Sequence, residues 1–337
     1  MKKTAILIGF GGMGKRYFQS LQLMNFKIIA ICEKKEIEKK ILKLNTDILI
    51  TKNFNDLLDL KADLLCVASN TNSRCSIIKK FSEKKNVKRI ITEKPLATSL
   101  YKCYEILKSV KKNKIRLIIN THRTFSPNYV MIKNLFSKKK EKITSIIVNS
   151  PSAGLGNMGS TFFDFGFYFF ETHPISVFGS IDKTRTLNPR GKEFRDPGGY
   201  GIINFNQNKK LFFDLSENTG LPYTLLLKSK NYEVKIDEIN NQFELIKRPN
   251  DLRDKPLYYY LFKPIKIKLK PKHKFDVVKM TCFSISQLFK KNFKNDNLKK
   301  SIQIMECIFA THISSEKKQI VTLPISRKYY RKEINFA

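Results

Sequence analysis

The first 120 residues alternate between two periods, and this alternation constrains the fold more than any other feature. Apolar runs of strand character lie at Ala5–Phe10, Ile28–Cys32, Ile48–Thr51, Leu64–Ala68, Arg89–Thr92 and Arg116–Asn120. Amphipathic stretches of helical spacing separate them at Lys15–Leu23, Ile37–Leu44, Ser76–Phe81 and Leu100–Val110. Strands that alternate with helices at this spacing predict a parallel sheet with helices on both faces. Six such strands predict an α/β, doubly wound, nucleotide-binding fold of the Rossmann type.

The turn after the first strand reads Gly9-Phe10-Gly11-Gly12-Met13-Gly14, a GxGxxG pattern that opens the first helix. Gly9 permits the tight turn, Gly11 lets backbone approach a pyrophosphate, and Gly14 allows close helix–strand packing. With Gly12 and Met13 these residues form the expected phosphate loop, where free N–H groups of the helix N-terminus meet the anion. Glu33 ends the second strand, 19 residues after Gly14. A carboxylate there accepts hydrogen bonds from the ribose hydroxyls and repels a 2′-phosphate, which favours NAD. NADP stays open, because Lys34 and Lys35 follow at once.

After residue 121 the pattern changes. A helix is expected from near Pro127 to Lys138, a strand at Ile143–Asn149 and an aromatic helix over Thr161–Phe178. Strand-like runs follow at Gly201–Phe205, Leu211–Leu215, Tyr223–Lys228, Tyr232–Ile236 and Phe243–Ile246, with short turns between them. Such runs read as antiparallel neighbours in one broad sheet. A last helix at Leu298–Ser314 and a strand at Ile320–Pro324 close the chain. Residues 1–121 are therefore expected to form the dinucleotide domain, and 122–337 an α+β domain for substrate binding and oligomerisation.

The formal charge of +35 raises the question of a polyanion partner. It is spread evenly, +16 over residues 1–120 and +19 over 121–337, and Lys outnumbers Arg 52 to 12. Specific phosphate and base recognition favours the Arg fork and a concentrated patch. No specific nucleic-acid partner is expected. Six Cys without a CxxC pair, and only four His, predict no metal site and suit a reducing, cytoplasmic setting. No run of about 18 apolar residues exists, so no membrane span is expected.

The segment after the fifth strand reads ITEKPLATSL, with Glu93-Lys94-Pro95 at the carboxyl edge of the sheet. Together with the glycine loop, CVASNTNS, THRTFSP, GSTFFDFGFYFFE and SIQIMECIFATHISSEKKQIVTLP, it resembles the Gfo/Idh/MocA family of oxidoreductases. The resemblance implies an NAD(P)-dependent enzyme. It would move hydride between nicotinamide C4 and a hydroxyl or keto carbon of a sugar, polyol or sugar nucleotide. Ser69, Asn70, Glu93 and Lys94 take family positions beside the cofactor. Asp164 takes the family aspartate position. Tyr168 stands where many members carry His, and is similar to branches in which Tyr serves as acid/base. The resemblance also implies a homo-oligomer through the second sheet.

The spacing of Asp164 and Tyr168, i and i+4, puts both on one helix face, with Glu171 extending the stripe. In the expected mechanism Lys94 assists by lowering the Tyr168 pKa, and Asp164 orients Lys94 or the substrate hydroxyl. His122 and Arg123, at the domain junction, either reach the substrate or form an interdomain hydrogen bond. Arg74 and Thr124 depart from the family pattern. With Tyr168 they motivate a second reading, a non-catalytic NAD-binding regulator on the same fold, against which the intact Lys94 and Asp164 argue. Finally, Lys255–Lys274 holds seven lysines and no acid. Within it, Ile265–Lys270 alternates as an edge strand with its apolar side chains inward, or serves as a patch for a phosphorylated or nucleotide-linked substrate.

Overall fold

The computed structural model describes residues 2–35, 47–151, 154–183, 188, 191–217 and 220–336. The expected helix Ile37–Leu44 lies outside them. The first layer runs β1 (Thr4–Ile8), α1 (Gly12–Leu23), β2 (Lys27–Cys32), β3 (Leu49–Thr51), β4 (Leu64–Val67), α2 (Thr71–Lys84), β5 (Arg89–Thr92), α3 (Leu100–Lys112) and β6 (Arg116–Ile119). All six strands pair in parallel, in the order β3-β2-β1-β4-β5-β6. The order reverses between β1 and β4, so a crevice opens at their carboxyl ends. The central strands β1 and β4 are apolar and buried on both faces, as covering by helices on each side requires.

A short 3-10 turn, His122–Phe125, leads from β6 into the second layer. There α4 (Pro127–Lys138) begins with Pro at its first turn, and Ser126 Oγ accepts from Asn128 N–H. Next come β7 (Ser145–Asn149), a π-helical turn (Gly154–Gly159), α5 (Ser160–Phe170), β8 (Pro174–Ile181), β9 (Gly199–Phe205), β10 (Lys209–Asp214), β11 (Thr224–Lys228), β12 (Tyr232–Asp237), β13 (Gln242–Lys247) and β14 (Ile265–Leu269). The chain ends with α6 (Val277–Gln287), α7 (Asp296–Lys317) and β15 (Val321–Thr322). The nine-stranded sheet runs β14-β13-β12-β11-β7-β10-β9-β8-β15; β7 and β10 pair in parallel and the other neighbours antiparallel.

The aromatic helix α5 lies on this sheet. Phe163 packs edge-on to Phe213, and Phe167 and Phe170 both pack edge-on to Phe205. Gly166 is required at the crossing, since a Cβ there would lie 2.6 Å from the Phe205 ring. The helix stops at Phe170 rather than reaching Phe178. Glu171 turns left-handed at φ 53°, Lys209 Nζ donates to the Phe170 carbonyl at 2.7 Å, and Pro174 opens a strand. Ile175, Val177 and Phe178 continue the apolar content past this point, which extends the expected stretch to Phe178, although His173 before Pro174 also reads as a stop or kink. β14 is an edge strand as expected, but Ile265 and Ile267 are exposed like its lysines, at 40% and 41%. The strand overhangs the sheet end, and only Leu269 meets the core.

Helix α6, not anticipated from the sequence, packs on α1 and carries Ile285 into the core beneath it. Helix α7 then spans both layers. At its start, Asn295 and Asn297 side-chain oxygens accept the outward N–H groups of Leu117 and Ile119, which closes the edge of β6. Midway, Glu306 is buried beside Cys103 and Tyr104 of α3, and burial pushes its carboxyl from the usual 4.5 up to about 7. The folded chain then holds this proton more tightly than the unfolded chain, so ionisation between those values destabilises the fold as pH rises. Glu306→Gln is expected to match the parent below pH 4.5 and to exceed it by about 3 kcal/mol at pH 8, in denaturant titrations across pH.

Candidate active site

The glycine loop sits at the crevice. Gly9 has φ +90°, and a Cβ there would lie 2.7 Å from the Ala68 backbone; on Gly14 it would lie 2.1 Å from the Gly9 carbonyl. Both positions must therefore be glycine for the loop to close on itself. Gly11 and Gly12 differ, because added Cβ atoms there meet nothing within 4 Å. Helix α1 starts at this open space with no side-chain cap and no acid in its first turn, although helix N-termini usually have side-chain partners. Open space over uncapped N–H groups fits a pyrophosphate. Glu33 stands at the rim, where its Oε2 accepts the Phe10 N–H at 2.5 Å.

Ser69 and Asn70 follow β4 on the other side of the crevice. Arg74, buried on α2, donates from Nε to the Ser69 carbonyl at 3.0 Å and from Nη1 to the Pro95 carbonyl. It thus ties the β4 loop to the Glu93-Lys94-Pro95 loop. Glu93 turns inward, accepting from Asn120 Nδ2 at 2.9 Å. Lys94 reaches across to the second layer, where its Nζ donates to the Asn157 carbonyl and Oδ1, both at 2.6 Å. Asn157 is held in turn by Asp196, whose carboxylate accepts the Gly156 and Asn157 N–H groups at 2.7 and 2.8 Å.

Asp164 is almost fully buried on α5. Its Oδ2 accepts from Thr124 Oγ1 at 2.9 Å, and its Oδ1 lies 2.5 Å from Lys300 Nζ. Neither contact is with Lys94. Tyr168 is half-buried, with Lys133 Nζ 4.7 Å from its ring centroid and donating to its carbonyl at 3.1 Å. Burial, then the charges of Asp164 and Glu171, push its phenol up to about 12. The expected lowering by Lys94 is thus corrected: the Lys94 ammonium is turned onto Asn157, and carboxylates are the charges that act on Tyr168.

His122 and Arg123 are both buried. Arg123 Nε pairs with Glu238 Oε2 at 2.9 Å, so its guanidinium serves the junction between the layers. The His122 ring has an unpartnered Nδ1 among the described residues, and one Arg123 nitrogen lies 3.5 Å from its Nε2. Burial first, then the charges of Arg123, Lys94 and Arg16, hold its pKa well below the usual range, so the ring is neutral. Asn157 and Lys300 were not anticipated as partners of the site. Nothing local marks them: Asn157 lies in a glycine-rich turn, and Lys300 is one of 52 lysines.

A doubly wound parallel sheet with an open glycine cradle, joined to a broad mixed sheet, is a dinucleotide-binding architecture with a second α+β layer. Residues 3–121 match the model of the Gfo/Idh/MocA family, described as an oxidoreductase family with an NAD-binding Rossmann fold. The uncharacterized oxidoreductase YrbE of Bacillus subtilis (strain 168) is 32% identical over 135 residues. That match spans 38% of this chain and 38% of the relative's length. Among solved structures, a levoglucosan dehydrogenase in complex with NADH superposes with TM-score 0.80 at 14% identity, over 97% of this chain and 100% of its own. A super-repressor mutant of Gal80p from Saccharomyces cerevisiae superposes with TM-score 0.76 at 14% identity, over 96% and 98%. At these identities the likeness is one of fold. No helix among the described residues is long and apolar enough to cross a membrane, and none of their His, Cys, Asp and Glu clusters would hold a metal.

Proposed function

We propose that the chain is an NAD-dependent oxidoreductase acting on a hydroxyl or keto carbon of a sugar, polyol or sugar nucleotide. The observation that carries this reading is the open, uncapped glycine cradle at the carboxyl edge of the parallel sheet, the edge that also carries the Lys94 loop after β5. Residues 1–121 hold the cofactor and 122–337 supply the substrate wall. Glu33 at the rim favours NAD over NADP. When bound, the nicotinamide accepts or donates the hydride. Lys94, held by Asn157, places its positive charge where an alkoxide develops. Tyr168, protonated through neutral pH, is suited to donate a proton in the reduction direction. In oxidation the same phenol must first lose its proton, which burial and the charges of Asp164 and Glu171 disfavour, so the geometry favours the reduction direction. The sheet's outer face, with Phe178 and Tyr200 exposed, supports a homo-oligomer.

Turnover of NAD(H) with a panel of sugars, polyols and sugar nucleotides tests the reading, alongside mass spectrometry of ligands released from purified protein. NADP recovered alone overturns the Glu33 argument. On any substrate turned over, Lys94→Ala is expected to lower kcat/KM about 100-fold and Tyr168→Phe about tenfold or more in reduction. Both variants within a few-fold of the parent would remove these residues from the mechanism.

A second reading, a non-catalytic NAD-binding regulator, is favoured by one observation. Asp164 is enclosed by Thr124 and Lys300, and Lys94 by Asn157, so both family positions have partners within the chain. Tight NADH binding without turnover on the whole panel would select it.

A further inference from the structure

We propose that the cleft between the C-terminus of α5 and the α6–α7 connection is a binding site for a small molecule bearing phosphoryl groups, separate from the glycine cradle. The cleft has a volume of about 610 Å³, within the range of small-molecule sites. Four lysines line it, Lys290 and Lys294 on the connection and Lys299 and Lys300 in the first turns of α7. Its wall carries two carboxylates, Glu171 and Asp296, and Glu171 is already paired with Lys133 at 2.5 Å. Lys300 is likewise paired with buried Asp164, so Lys290, Lys294 and Lys299 stand against Asp296, an excess that a phosphoryl or diphosphate group matches better than a monocarboxylate. The start of α7 adds its partial positive charge, since Asn295 makes no side-chain cap and is used instead on β6.

The apolar part of the lining suits the remainder of such a ligand. Phe125, Phe167 and Phe293 present aromatic surface to the cavity, on which a sugar or base ring can pack. No residue of the β1–α1, β4 or β5 loops lines it, so it is not the cofactor cradle. It does touch the buried carboxylate of α5. Lys300 lines the cleft and also lies 2.5 Å from Asp164 Oδ1. An anion in the cleft draws on the same ammonium, which couples occupancy to the hold on Asp164. The site stands on its own geometry and does not require that the chain turn over a substrate. The run at Lys255–Lys274 offers no such concavity, since β14 is exposed on both faces.

The rival explanation is the chain's overall charge, and the test is built against it. Inorganic pyrophosphate is titrated calorimetrically into the NADH-saturated protein, with NADH binding measured separately in the same preparation. Single-site binding is expected, weakened about tenfold or more by Lys294→Ala/Lys299→Ala. Lys266→Ala/Lys268→Ala on β14 removes the same charge and is expected to change affinity less than about twofold. These four lysines are exposed, so the variants should fold. Absence of pyrophosphate binding overturns the proposal, and so does equal weakening by both pairs. Failure of NADH to bind would count against the cofactor reading instead, and the two lysine pairs would still report on the cleft.

Discussion

Gly11→Ala is expected to leave the stability of the cofactor-free chain unchanged and to weaken NADH about tenfold or more, whereas Gly14→Val removes both stability and binding. The two glycines lie three residues apart in one motif but meet different surroundings. At Gly14 the added Cβ falls 2.1 Å from the Gly9 carbonyl oxygen and 2.8 Å from its carbon. Backbone cannot yield there without opening the turn that Gly9 makes against Ala68. Overpacking at such a site costs on the order of 3 kcal/mol, and the displaced helix start no longer presents its N–H groups. At Gly11 the backbone is in an ordinary region, φ −67°, and nothing lies within 4 Å of the added atom. The methyl therefore costs the protein alone very little. It enters the space a pyrophosphate would take, so its effect is confined to affinity. NADH fluorescence titration and urea unfolding of both variants separate these effects. Full NADH affinity in Gly11→Ala would mean that the open space is not the cofactor's.

What the sequence reveals follows the range of the forces involved. The six parallel strands are legible because each is a short apolar run and four of the five connections have a helical period, so the pattern is local. The phosphate loop is legible for the same reason, since Gly9, Gly11 and Gly14 act within six residues. The end of α5 is legible only in part: Pro174 after His173 marks a stop or kink, whereas the left-handed turn at Glu171 that ends the helix at Phe170 has no signal in the pattern. The site is legible in part. Asp164 and Tyr168 share a face as their spacing demands. Which charge each one meets depends on side chains far along the chain. Lys300 is 136 residues from Asp164, and Asn157 is 63 from Lys94. No periodicity in a chain so rich in Lys singles out the lysine that closes on a buried carboxylate. The expected influence of Lys94 on Tyr168 failed for this reason. Helix α6 went unseen because its pattern is short and its burial comes from docking on α1, not from its own composition.

Arg123→Ala is expected to destabilise the fold by about 3–5 kcal/mol, although Arg123 lies in a short turn rather than in a helix or strand. Its guanidinium pairs with Glu238 at 2.9 Å, and both side chains are almost fully buried. Tyr129 and Tyr223 hydroxyls donate to the same carboxylate, so Glu238 has three donors in an apolar setting. The guanidinium also lies 5.4 Å from the Tyr223 ring centroid and 5.1 Å from that of Phe275. Removing Arg123 leaves a buried carboxylate with no opposing charge, and that uncompensated charge, not the lost hydrogen bond, sets the size of the effect. Arg123→Met/Glu238→Gln is therefore expected to recover most of the loss, because the amide oxygen still accepts from one phenol while its NH2 donates to the oxygen of the other. Urea unfolding of the single and double variants measures the difference. A single-variant loss below about 1 kcal/mol would show that water reaches Glu238 and that the pair is not the buried tie described. The same contact bears on chemistry. It fixes the turn that carries His122, so NADH-linked turnover should fall with stability in Arg123→Ala and return in the double variant. A substrate-binding Arg123 would leave activity lost in both.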